Sequence, residues 1–97
     1  MKKKIKKQKL IKDKKFHKEK IGICQICGLE DIDTLHNHRI IYGESGGRYT
    51  ENNVACCCAN CHQKIHKDKI IVKGWYPSTN GRVLLVEENG VEGFRQF

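Results

Sequence analysis

A small α+β domain stapled by zinc, with a basic tail ahead of it and a β-hairpin behind it, is the fold this sequence predicts. Three observations carry the expectation. The 97 residues allow one domain, and a core of that size commonly needs a metal or cross-links to supplement hydrophobic burial. Two C-x-x-C pairs, "CQIC" at 24–27 and "CANC" at 58–61, stand thirty residues apart. The net charge of +8 is confined to one end of the chain.

The tail comes first. Residues 1–20, "MKKKIKKQKLIKDKKFHKEK", set eleven lysines against Asp13 and Glu19, or +9, whereas residues 21–97 set eight basic side chains against nine acidic ones, or −1. The segment lacks Gly and Pro and could become helical when neutralised; alone in water its like charges repel and favour disorder. Lys2, Lys3, Lys4, Lys6 and Lys7 read as a polyanion-binding arm, since lysines on phosphates release counterions and add sequence-blind affinity. The alternative is a solubilising tail. A membrane-surface helix is a further alternative, for which Ile5, Leu10, Ile11 and Phe16 make only a thin apolar face. No run of eighteen apolar residues and no secretory signal occurs, so the expected location is the cytoplasm, including that of a phage-infected host cell, without a membrane partner.

A reducing compartment argues against disulfides among the six cysteines. Their spacing argues for metal. Each C-x-x-C can wrap a tight turn around one side of a tetrahedral ion, and Gly28 suits the turn after Cys27 because glycine reaches positive φ cheaply. Cys24, Cys27, Cys58 and Cys61 are therefore the expected ligands of a structural Zn²⁺. A redox C-x-x-C would need a thioredoxin-like strand–helix pattern, which is missing. Cys56 and Cys57 are left over and read as small apolar residues.

Between the pairs, Asp33 to Ile41 ("DTLHNHRII") reads as an extended strand. A polar glycine-bearing loop follows, "VACCC" reads as a second strand, and "ANCHQKIHKDK" has helical character. His62 and His66 are four apart and share a helix face, a spacing that suits two imidazoles on one divalent cation. His36 and His38 share a strand face. Beyond residue 68, "KIIVKGWYPSTNGRVLLVEENG" reads as β segments at 69–73 and 82–86 around a loop holding Trp75, Tyr76, Pro77 and Asn80-Gly81. That hairpin either completes the core, with Trp75 packed, or touches nucleic acid through Arg82 and exposed aromatics.

The order of "CQICG", "HRI", "GG", "NNV" and "CANCHQKIH" resembles the HNH endonuclease family over Cys24 to His66. The resemblance implies a ββα-metal core, a hairpin packed on a helix around a catalytic metal. Three regions follow: a basic tail at 1–20, the zinc-stabilised module at 21–68, and a β-hairpin extension at 69–97. In that family's terms Asn53, or its neighbour Asn52, holds the loop that orients the general base. His62 and His66 bind the catalytic cation, Mg²⁺ or another divalent ion.

The first letter of the motif departs from the family. Aligned on Ile40, His38 falls on the metal-ligand position and Arg39 on the base, yet arginine stays protonated and cannot accept a proton. Shifting by one makes Asn37 the ligand and His38 the base. In a third arrangement His36 and His38 both work. The favoured reading has His38 as the base, His36 assisting, and Arg39 on a phosphate oxygen. The resemblance implies a metal-dependent endonuclease of phage or mobile-element type. It would cut double-stranded DNA through a histidine-activated water, with no small-molecule substrate. A second copy of the chain or a phage protein is an open further partner. The alternative function is a zinc-stabilised DNA-binding module without catalysis.

Overall fold

The computed structural model describes residues 10–97. Lys2, Lys3, Lys4, Lys6 and Lys7 lie outside the described residues.

A helix, α1 (Lys14–Ile21), opens the described chain. The tail reading favoured disorder in isolation; here Asp13 caps the first turn by accepting from the Phe16 amide at 3.0 Å, and Gly22 ends the helix in the left-handed conformation. The helix is also anchored laterally. Asn37 Nδ2 donates to the Lys14 carbonyl at 3.1 Å, and the Ile11 amide donates to the Tyr49 carbonyl at 2.8 Å. His17 faces inward and is only 4 % exposed.

Two short strands follow, β1 (His36–Arg39) and β2 (Val54–Cys57), paired antiparallel with His36 opposite Cys57 and Arg39 opposite Val54. The strand expected from Asp33 is shorter than its sequence suggests. Asp31 accepts from the Asp33 amide and caps a 3₁₀ turn at Ile32–Thr34, so local side-chain bonding outcompetes extension there. Helix α2 (Ala59–His66) leaves β2 after a single residue, Cys58. Cys61 and Ile65 face the core, and His62 and His66 lie one residue round.

The chain then forms an antiparallel three-stranded sheet, β3 (Ile70–Ser78), β4 (Gly81–Glu88) and β5 (Val91–Arg95), in sequential order. This is one strand more than the expected hairpin. The turn into β5 is Asn89-Gly90 with φ of 53° and 83°, the backbone of a tight two-residue hairpin. Trp75 lies within β3 rather than in a loop, and its Nε1 donates to the Val54 carbonyl at 3.0 Å. Arg82 lies over the Trp75 ring at 3.8 Å and donates to the Glu51 carbonyl at 2.9 Å. Both side chains are thus spent on gripping β2 and the loop before it.

The core gathers Leu35, Ile65, Ile70, Leu84 and Val86 around Cys24, Cys57, Cys58 and Cys61, all nearly inaccessible. Cysteine sulfurs therefore occupy the centre that a larger domain would fill with aliphatic side chains. No helix among the described residues is long and apolar enough to cross a membrane.

Candidate functional site

The two cysteine turns face each other across the module. The ligand atoms of Cys24, Cys27, Cys58 and Cys61 all lie within 4.8 Å of one another, and Cys27 Sγ stands 3.7 Å from Cys58 Sγ. A tetrahedron with zinc–sulfur arms of about 2.3 Å has edges of about 3.8 Å, so the four sulfurs fit a zinc ion. The backbone is arranged for thiolates as well. The Cys27 amide points at Cys24 Sγ (3.4 Å) and the Cys61 amide at Cys58 Sγ (3.5 Å), and Cys58 Sγ thereby caps α2. The hydrogen bond between Cys24 and Cys61 pulls the Cys24 thiol down and pushes the Cys61 thiol up. Zinc binding would require the cysteines to give up their protons. Gly28 follows the first turn with a φ of 84°, and the Phe97 ring fills the space a Cβ would need.

Cys56 and Cys57 stay out of the cage. Burial pushes their thiols up to about 11 and about 12, so both remain protonated and inert. Cys57 packs in the core, while Cys56 donates from Sγ to Asn37 Oδ1 at 3.2 Å.

On the neighbouring face four imidazoles converge. His62 stacks on His36 with ring centroids 4.8 Å apart, meets His38 edge-on at 5.6 Å, and meets His66 at 4.5 Å. Strand alternation puts His36 and His38 on this side of β1, and the four-residue spacing in α2 puts His62 and His66 opposite them. His38 is 6 % exposed. Burial, reinforced by His62 and His66, pushes its pKa down to about 4. His62 is lowered for the same reason, burial first and then His66 and His36. Both rings are therefore neutral near pH 7, with a lone pair available. Among the described residues the cysteine cage is the one group of three or more ligand side chains near enough to hold a metal. The histidines form a looser, partly open cluster.

The same alternation sends Asn37 and Arg39 to the other side of β1. Asn37 is committed to Lys14 and Cys56, so it does not join the imidazoles. Arg39 lies against the Tyr49 ring at 4.5 Å. It also lines a small cavity with Tyr42, Gly43, Glu44 and His66.

Asn53 is buried behind the cluster and closes the loop between the strands. Its Oδ1 accepts from the Ile41 amide (2.8 Å), and its Nδ2 donates to the carbonyls of Ile41 (3.0 Å) and Arg48 (2.9 Å). A Cβ on Gly47 would run into the Ile41 carbonyl, so this close approach requires glycine. Asn52 is exposed, and its Oδ1 lies 3.4 Å from Arg82 Nη1. Sequence reasoning missed His17, Tyr49 and the grip of Trp75 on Val54. Only the last had a signal, a lone Trp between β-rich runs.

A sulfur cage that could hold a metal ion lies beside an open imidazole cluster, the two joined by a hairpin and one helix. The comparisons carry this one step further: residues 24–68 match the HNH endonuclease family. That match, over slightly under half of the chain, suggests a nuclease or DNA-binding function. No curated protein and no solved structure matches the chain.

Proposed function

We propose that the protein is a metal-dependent endonuclease that hydrolyses DNA phosphodiester bonds. One observation carries the reading: histidines from a strand and from a helix meet around His62, at 4.5 to 5.6 Å between ring centroids. Neutral imidazoles at that spacing can divide two tasks, holding a cation and taking a proton from water. His62 and His66 would hold a divalent ion, whose contribution is Lewis-acid stabilisation of the phosphate and leaving oxygen. Imidazole donors suit first-row transition metals better than Mg²⁺, which prefers oxygen ligands.

His38 is the proton acceptor in this reading, kept neutral by burial, and His36 assists from the exposed rim. Asn53 is a positioning residue, fixing the loop that carries the chain away from β1. Arg39 binds phosphate and takes no proton. The cysteine cage does no chemistry and holds β2 and α2 in register.

A second reading, a zinc-stabilised DNA-binding module without catalysis, draws on Arg39 standing where the family resemblance puts the base. A nicking assay on supercoiled plasmid with Mn²⁺ or Mg²⁺ separates the two. His38→Ala and His62→Ala should each abolish cutting while zinc content and melting behaviour stay those of the wild type. Cutting that persists in both variants would overturn the assignment, and a wild type that binds but never cuts favours the second reading.

A further inference from the structure

Beside the HNH segment the N-terminal arm builds a second surface. Leu10 bridges to Thr50, and the Ile11 amide bonds the Tyr49 carbonyl. This pairing lays Lys12 and Lys14 alongside the loop after β1. A shallow groove of about 430 Å³ results, its lining including Lys12, Lys14, Arg39, Arg48 and Tyr49. No carboxylate lines it. Among the described residues none of these four cations pairs with an acid, whereas Lys20, Lys64, Lys73 and Arg95 all do.

Tyr49 gathers the charge. Lys14 Nζ stands 3.9 Å from the ring centroid and Arg39 Cζ 4.5 Å. Two like charges held against one ring repel each other, and a polyanion along the groove would relieve that repulsion. Arg39 also lines the cavity that contains His66. Arg39 is thus shared between the groove and the cavity that His66 lines.

The geometry points to this groove as a track for the sugar–phosphate backbone of duplex DNA. Lys12, Lys14 and Arg48 grip phosphates next to the one held by Arg39. The inference rests on the DNA-cleaving reading and adds to it a contact surface to which Lys12 and Lys14, outside residues 24–68, contribute beside Arg39 and Arg48 within them.

The test is the salt dependence of binding to a short duplex of arbitrary sequence, measured with the full chain. The triple variant Lys12→Gln, Lys14→Gln, Arg48→Gln should lower the slope of log affinity against log salt by about 2 to 3, roughly one per lost phosphate contact. Lys73→Gln, on a lysine engaged by Glu87 and Glu92, should leave the slope unchanged. The charge-conserving variant Lys12→Arg, Lys14→Arg, with Arg48 kept, should hold the wild-type slope. An unchanged slope in the triple variant, with zinc content and melting as in the wild type, overturns the groove while leaving the cleavage reading intact. So does an equal drop in the Lys73→Gln control. A wild type that binds no duplex overturns both, and one that binds without cutting overturns cleavage alone and leaves the groove to be decided by the slopes.

Discussion

The cysteine cage and the histidine cluster adjoin in sequence, with Cys61 beside His62 in α2 and Cys57 opposite His36 across the hairpin. They differ in closure. The cage brings four ligand atoms within 4.8 Å of each other, is mostly buried, and is braced by backbone amides. The cluster leaves its rings 4.5 to 5.6 Å apart, with His36 exposed and a cavity at its edge. A closed set of ligands serves folding, and an open one leaves room for a reacting group. On the cleavage reading proposed above, the difference would assign stability and chemistry to separate side chains on shared elements.

Removing the metal tests that division most strongly. Chelation, or Cys58→Ser, should cost on the order of 10 kcal/mol of apparent metal-coupled folding energy, followed by circular dichroism together with zinc content. A chain that keeps its cooperative melt without zinc would erase the contrast. Next comes Asn53→Ala, which strands the Ile41 amide and the carbonyls of Ile41 and Arg48. The expected loss is about 2–3 kcal/mol in denaturant unfolding, with cutting reduced as the loop loosens.

A pH titration sharpens the comparison from outside both clusters. Burial lowers the pKa of His17 below its ordinary 6.5; Lys20 and Arg82 lower it further, and Glu51 opposes them. The unfolded chain therefore binds this proton first. The contribution of His17 to stability is complete above about pH 6.5 and is lost as pH falls through its folded value. His17→Gln should flatten that part of the stability profile; an unchanged profile would show that His17 is no source of it. The smallest effect is expected at His36→Ala, where exposure limits the change in stability to about 0.5 kcal/mol while plasmid nicking still falls.

Much of this was legible from spacing alone. The C-x-x-C pairs predict a cluster of four cysteines, and alternation and helical spacing put 36 with 38 and 62 with 66 on shared faces. Both inferences need only local backbone geometry; that the two faces meet is what the family resemblance implied. The family reading of residues 24–66 agrees with the matched segment 24–68. What spacing could not give depends on contacts distant in sequence. Helix α1 persists among so many lysines because Asp13 caps it and Asn37, from another element, binds its first carbonyl. Arg39 looked like a defect at the base position, and its placement on Tyr49 depends on how the loop folds back. Strand β5 was missed although Asn89-Gly90 announces a hairpin, because Glu92 and Gly93 weaken the β pattern of "VEGFR".

The bonds that Trp75 and Arg82 send to Val54 and Glu51 have a practical consequence for engineering. A fragment trimmed at residue 68 would strip the cover formed by Ile70, Leu84 and Val86 from Leu35 and Ile65 and hand two backbone carbonyls to solvent. The module is consequently a poor candidate for transplantation into another scaffold unless the trailing sheet travels with it.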